Sequence, residues 1–196
     1  MKLSIIIVSW NVKDDLSRCL ASLKENRPSV PFEVIVIDNR SSDGTVDMVR
    51  QEYPDVAVIE NHENKGFARA NNQGIKQSRG QHVLLLNPDT IVPPGSLDRL
   101  VAFLGNNPDV GACGPKLLNA DGSTQASVRR FPTYRAALYN QTISRVMGLF
   151  RAQYRKWMMK DFGYDRQMDV DQIMGAAMLI RRSVIDDVGG MDENFF

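Results

Sequence analysis

Four short apolar runs recur along the first half of the chain, at residues 3–8, 32–37, 56–59 and 83–86, with starts about 25 residues apart. Helical spacing fills the gaps between them. Leu16, Cys19, Leu20 and Leu23 keep i, i+3, i+4, i+7 intervals. Val46, Val49 and Tyr53 repeat the pattern behind a Ser42/Asp43 capping signal, and Leu97, Leu100, Val101 and Leu104 behind Pro93-Pro94. Near-continuous apolar strands alternating with amphipathic helices predict a parallel sheet covered on both faces. Such sheets bind ligands beyond the carboxyl ends of their strands. The first, second and fourth runs end in polar residues, Ser9-Trp10-Asn11, Asp38-Asn39 and Asn87-Pro88-Asp89, which are expected to meet at one edge.

Each of these ends carries usable chemistry. A carboxylate closing a strand, as Asp38 does, can accept hydrogen bonds from a ribose hydroxyl or a base N–H; equally, Asp38 and Asp43 can cap the turn and helix that follow. In "NKGFARANNQGI", residues 64–75, small residues alternate with Lys65 and Arg69. That pattern suits either backbone approach to a phosphate or tight packing of a helix on the sheet. Asp89 stands on a rigid Asn-Pro-Asp turn. A hard divalent cation often takes one or two carboxylates together with substrate phosphates, and Asn87 reaches the same side of an extended chain.

Other classes are disfavoured. No G-x-G-x-x-G follows the first strand and no G-x-x-x-x-G-K-[ST] occurs, against a Rossmann dinucleotide site and a P-loop. The missing Gly-rich phosphate loop also weighs against a nucleotidyltransferase. His62 and His82 are the only histidines, 20 residues apart, and are expected at the surface or a strand edge. Cys19 and Cys113 have neither metal spacing nor a secreted disulfide pattern, so a reducing compartment is the default. A net charge of +1 gives no whole-chain case for nucleic acid, and no apolar run approaches the roughly 18 residues of a membrane span.

The texture changes near Val110. Asp121-Gly122 marks a hairpin, and residues 172–190 read as one more buried strand and a short helix. Residues 129–160 hold eight Lys or Arg and no Asp or Glu, so the remaining residues carry −7. These eight (Arg129, Arg130, Arg135, Arg145, Arg151, Arg155, Lys156 and Lys160) are interleaved with Phe150, Tyr154, Trp157 and Met158. The segment suits either contact with an anionic membrane surface or a helix with a solvated basic face.

In this order, "SIIIVSWN", "VIVIDNRSSDGT", "NKGFARANNQGI", "LLLNPDT", "GPKLLNADGSTQASVRRFPT" and "VDQIMGAAMLIRRSVIDDVGGMDENFF" resemble family 2 glycosyltransferases of the GT-A fold, particularly the rhamnosyltransferase-like branch. The resemblance implies one domain over residues 1–196, with a nucleotide-binding half (1–110) and an acceptor-side half (111–196) that is incomplete. It implies an inverting transfer of a sugar, rhamnose in that branch, from a dTDP- or UDP-type donor to a saccharide or lipid-linked acceptor in polysaccharide synthesis. Val8, Ser9, Trp10 and Asp38 would hold base and ribose, Lys65 and Arg69 would meet the nucleotide and its phosphates, and Asn87 can donate to phosphate or ribose. Asp89 stands where the family has the second Asp of its D-x-D motif, Asn87 replacing the first, and would ligate Mg²⁺ or Mn²⁺. Gly175 and Ala176 would floor the sugar and acceptor site. In relatives a Glu-Asp-containing segment after "FF" supplies the general base. The base is therefore expected beyond Phe196, with Asp192 the nearest catalytic candidate and Asp192-Glu193 expected to shape a turn. The alternative is a catalytically silent nucleotide-sugar binding module. The expected location is the cytoplasm, with 129–160 facing the inner side of the membrane.

Overall fold

Strand β1 (Leu3–Ser9) lies at the heart of the sheet, paired in parallel on one side with β2 (Phe32–Asp38) and on the other with β4 (His82–Leu86). The computed structural model describes residues 1–141, 147 and 149–194. Arg145 of the basic segment and the terminal Phe195-Phe196 lie outside the described residues. Two compact units are present, one formed by residues 1–115 with 175–196 and the other by 116–174.

In the first unit, α1 (Lys13–Glu25), α2 (Thr45–Glu52), α3 (Gly66–Gln77) and α4 (Ser96–Asn106) alternate with β1, β2, β3 (Ala57–Glu60) and β4. Two further strands, β5 (Ala112–Cys113) and β10 (Ala177–Arg181), complete a sheet of order β3-β2-β1-β4-β10-β5. Strand β10 runs antiparallel to both β4 and β5, so the sheet is mostly parallel with one reversed strand.

Parallel strands buried on both faces demand apolar side chains at every position. On one face Ile6, Ile35, Ile37, Val83 and Leu85 pack with Ala70 and Ile75 of α3. The alternate residues Ile5, Ile7, Val34, Val36, Leu84 and Leu86 point the other way, and they too are buried. Full burial of each such side chain contributes roughly 1.5–3 kcal/mol. Strand β3 departs from the expected pattern. It is an edge strand with exposed ends and begins at Ala57, one residue later than its apolar run.

The helical stripes of α1 and α4 face inward as their spacing predicts, with Leu100 half-buried. In α2 the buried face is instead Thr45, Met48 and Val49. Tyr53 lies past the helix end, where its hydroxyl donates to the Ser17 carbonyl at 3.1 Å. Asp43 caps this helix, its Oδ1 accepting from the Thr45 amide at 3.1 Å. The two arginines after β10 close other helices. Arg181 donates to the Leu104 and Asn107 carbonyls at the end of α4, and Arg182 to those of Ile75 and Ser78 at the end of α3. Helix α7 (Arg182–Val188) follows. His82 opens β4 as a buried residue, and neither ring nitrogen has a hydrogen-bond partner among the described residues. Burial, reinforced by Lys2 and Arg181, holds its pKa below the ordinary 6.5.

The second unit contains the expected hairpin, β6 (Leu117–Leu118) with β7 (Thr124–Gln125), turned by Gly122 at φ +81°. A second ladder joins β8 (Val128–Arg129) to β9 (Gln172–Ile173). Helices α5 (Tyr134–Gln141) and α6 (Arg151–Trp157) pack together through Tyr139 and Tyr154, whose ring centroids are 4.8 Å apart. No helix among the described residues is long and apolar enough to cross a membrane.

The glycines of two helices make opposite demands. A Cβ at Gly74 would lie 2.5 Å from Ile6 Cγ2 and 2.8 Å from Ile37 Cδ1, whereas nothing lies within 4 Å at Gly105. Gly74→Ala is therefore expected to cost about 1–3 kcal/mol through overpacking, read as a lower urea midpoint. Gly105→Ala gains helix propensity, up to about 1 kcal/mol, and is expected to raise the midpoint. Equal effects would contradict the packing of α3 on the sheet.

Candidate active site

The rim at the carboxyl ends of β1, β2 and β4 is assembled by strand register. Ser9 is paired with Asp38, and Ile7 with Leu86, the residue before Asn87. Each end is then stitched to its neighbour. The Asn39 amide donates to the Ser9 carbonyl at 2.8 Å, and the Asn11 amide to Ser41 Oγ at 2.8 Å. Asn11 Oδ1 accepts from the Ser42 amide at 2.8 Å, with Asn11 itself at φ +53°. The loops after β1 and β2 therefore form one braced surface.

Two atoms on this surface lack what burial demands. Asp38 is 1% exposed; its Oδ2 accepts from the Ser41 amide at 2.7 Å, but its Oδ1 is buried with no partner among the described residues. Ser9 Oγ, on the adjoining strand, is buried and equally unpartnered. An unsatisfied buried polar group costs about 1–3 kcal/mol, more when charged, so two side by side call for an explanation. Asp38 thus caps the turn with one oxygen, one of its two expected roles, and leaves the other oxygen without a partner among the described residues. Val8 beside them is half-buried, and Trp10 is exposed at the mouth of the β1 turn.

The loop before α3 joins this rim through amides that the sequence reading missed. Asn39 is buried. Its Oδ1 accepts from Asn61 Nδ2 at 2.9 Å and from the Lys65 amide at 3.4 Å, and its Nδ2 donates to the Gly66 carbonyl at 3.3 Å. Asn61 and Gln73 exchange two bonds of 2.9 Å. This network sets the N-terminus of α3, and with it half-buried Lys65, beside the end of β2. The Lys65 ammonium has no ion pair among the described residues. Arg69 is different. Its guanidinium lies 3.5 Å from Glu193, which also accepts from Asn72 at 2.9 Å.

Asn87, Asp89, Gly175 and Ala176 form the other side. Because β10 is antiparallel to β4, its start lies against the end of β4, with Ala177 opposite Leu86. The Asn87 amide donates to the Ala176 carbonyl at 2.9 Å and Thr90 Oγ1 reaches the same oxygen at 3.5 Å. Asp89 is exposed and its carboxylate has no hydrogen bond or ion pair among the described residues. Phe67, 43% exposed, is a second missed residue. Its ring would be 3.7 Å from a Cβ at Gly175, linking the start of α3 to this strand. Asp192 Oδ1 accepts from the Asn194 amide at 2.9 Å and side chain at 2.8 Å, in a turn of the kind the sequence suggested.

The described residues include no cluster of three or more His, Cys, Asp or Glu suited to a metal. The donor set instead fits a cation shared with a ligand: one free carboxylate, Asp89, on a rigid turn, with room for phosphate oxygens to complete the shell.

The mostly parallel α/β sheet with one reversed strand is a GT-A fold, shared with glycosyltransferases of known structure. The chain superposes on a mannosyltransferase from Pyrobaculum calidifontis, solved in complex with GDP-Man and Mn²⁺, with a TM-score of 0.65 at 21% identity, covering 98% of this chain and 48% of that one. It superposes on TarS of S. aureus with a TM-score of 0.66 at 19% identity, covering 99% and 31%. In sequence, the profile described as "Glycosyl transferase family 2" matches residues 4–189, and the chain belongs to that family. An N-acetylglucosaminyl-diphospho-decaprenol L-rhamnosyltransferase of Mycobacterium tuberculosis is 31% identical over 211 residues, covering 99% of this chain and 66% of the relative. The chain thus spans just under two thirds of that relative's length.

Cys19, whose Sγ lies 3.8 Å from the Asn87 carbonyl, is the one thiol beside this rim among the described residues. Burial, aided by the charge of Asp89, pushes its pKa up to about 12, and burial pushes Cys113 to about 11. The buried thiol is therefore held protonated near neutral pH, against a nucleophilic role. A thiol reagent at pH 8 is expected to leave the folded protein unlabelled and to modify two cysteines in denaturant. Fast labelling of the folded chain would contradict the packing of α1 beneath Asn87.

Proposed function

We propose that the first unit binds a nucleoside-diphosphate sugar with Mg²⁺ or Mn²⁺ and serves an inverting transfer of the sugar to a saccharide or lipid-linked acceptor in cell-surface polysaccharide synthesis. The observation that carries this reading is the pair of orphaned atoms, Asp38 Oδ1 and Ser9 Oγ, at the same sheet edge as the unpartnered carboxylate of Asp89. Neighbouring strands lie about 4.8 Å apart, so the ends of β2 and β4, with β1 between them, are about 10 Å apart. That separation suits a nucleoside over Asp38 and its diphosphate near Asp89.

The roles follow from the geometry. Asp38 Oδ1 accepts from a ribose hydroxyl or base N–H, Ser9 Oγ supplies a second polar contact, and Trp10 offers a ring face to the base. Val8 fills the floor. Lys65 and the amides at the start of α3 meet the diphosphate, where a helix N-terminus favours negative charge. Asn87 donates to phosphate or ribose. Asp89 holds the cation, which when bound neutralises charge developing on the departing diphosphate. Gly175 and Ala176, small and next to Asn87, leave space for the transferred sugar and the acceptor. Arg69 is assigned to α3's contact with Glu193 rather than to phosphate. No general base is assigned, because Asp192 and Glu193 are both engaged in local bonds.

The relative from Mycobacterium tuberculosis supports rhamnose as the sugar and a diphospho-lipid as the acceptor class. The mannosyltransferase solved with Mn²⁺ supports the metal.

Thermal-shift measurements against dTDP-, UDP- and GDP-sugars test the reading. At a hundredfold excess over Kd, one donor is expected to raise stability by about 2.7 kcal/mol, and chelation is expected to remove most of the gain. Asp89→Asn should abolish the metal-dependent part, and Asp38→Asn should weaken nucleotide binding about tenfold or more while stabilising the free protein. No response to any nucleotide with Mn²⁺ present would refute the proposal.

A further inference from the structure

In the second unit, the segment after β8 and the start of α5 present a run of exposed side chains. Arg130, Phe131, Pro132, Thr133, Tyr134 and Arg135 are all exposed, Phe131 by 67% and Tyr134 by 80%. A loose loop does not explain this. The Arg130 amide donates to the Trp157 carbonyl at 2.9 Å and the Phe131 amide to Asp171 Oδ2 at 2.9 Å. At the other end the Ala136 amide donates to Thr133 Oγ1 at 3.2 Å and the Ala137 amide to the Thr133 carbonyl at 3.0 Å. A hydrogen-bonded backbone therefore holds two aromatic rings out into water. Met147 and Leu149, further along the chain, are also exposed, by 65% and 49%. Exposed apolar clusters rimmed by polar residues commonly mark interaction surfaces.

The surrounding charge selects the partner. Residues 116–174 carry ten Lys or Arg against five Asp or Glu, +5, while the rest of the chain carries −4. The basic helix α6 turns its aromatic side inward, Tyr154 against Tyr139 and against Trp157 at 5.8 Å, which leaves Arg151, Arg155 and Lys156 outward. Arg135, Arg151 and Lys156 have no ion pair among the described residues. A second copy of this surface would bring like charges together. Aromatic rings flanked by arginines instead match an anionic bilayer, where rings enter the headgroup region and guanidinium groups meet phosphate.

We propose that Phe131 and Tyr134, flanked by Arg130 and Arg135, form a membrane-docking surface for anionic lipid. The sequence pattern pointed to the whole of 129–160. The structure narrows the inserting part to this rigid turn and leaves α6 as a basic face that adds only electrostatic attraction. The proposal is independent of the nucleotide site, and its test uses no nucleotide.

The test is co-sedimentation of the intact chain with vesicles of phosphatidylcholine, with or without phosphatidylglycerol. Binding is expected only to the anionic vesicles and should be largely lost when salt is raised from about 0.1 M to 1 M, where the Debye length shrinks from about 10 to 3 Å. Arg135→Ala is expected to weaken binding about fivefold, the contribution of one basic residue near such a surface. Phe131→Ser with Tyr134→Ser should weaken it further, with near-ultraviolet circular dichroism unchanged, since neither ring is buried. Absence of binding, equal binding to neutral vesicles, or full binding by the double variant would each overturn the proposal. So would a dimer in sedimentation that this variant dissociates. The lipid and salt comparisons on the unmodified chain need no variant to fold.

Discussion

The parallel pairing of β1 with both β2 and β4 is the constraint on which the candidate site depends. Its register sets Ser9 against Asp38 and brings Leu86, hence Asn87 and Asp89, to the same edge. A slip of one residue would turn every buried side chain of β1 to the opposite face. The register is held because both faces of the strand are closely packed, as where Ile6 fills the space left by Gly74 of α3, and a slipped strand would lose such fits. The same apolar packing that stabilises the sheet therefore sets the spacing of the polar rim.

The rim itself works against stability. A carboxylate oxygen and a hydroxyl are buried without partners, although other buried polar groups nearby, Asn39 and Asn61 among them, are well satisfied. The contrast argues against poor local packing. Folding into a state with unmet hydrogen-bond capacity is tolerable where a ligand completes it, and such sites are where local rules of stability are expected to fail. Asp89 shows the same feature in exposed form, held on a proline turn with no ion pair among the described residues. The reversed strand β10 adds to the rim from the other direction, its entry residue Ala176 accepting hydrogen bonds from Asn87 and Thr90.

Much of this was legible in the sequence because period and punctuation report on local physics. The apolar runs gave the strands, and their polar ends located Ser9, Asp38 and Asn87. Other features depend on pairings that no local pattern encodes. The antiparallel sense of β10 is set by tertiary placement, as is the ion pair of Glu193 with Arg69. Asn39, Asn61 and Gln73 read as ordinary polar residues until the fold brings them together. Only the adjacency of Asn39 to Asp38 hinted at its position. Phe67 looked like a helix residue, and its place against Gly175 arises from a contact across more than a hundred residues. In α2, Thr45 and Met48 displaced part of the expected stripe because the helix ends before Tyr53.

The central claim is that Asp38, Ser9 and Asp89 belong to one site, shared by a nucleotide and a cation. Paramagnetic broadening of backbone amide signals by Mn²⁺ in the presence of a nucleoside diphosphate tests it most directly. The account predicts selective loss of signal around Asn87, Asp89 and Ala176, with shifts but weaker broadening at Ser9 and Ser41, and no such pattern in Asp89→Asn. Broadening centred elsewhere, or unchanged by that substitution, would contradict it.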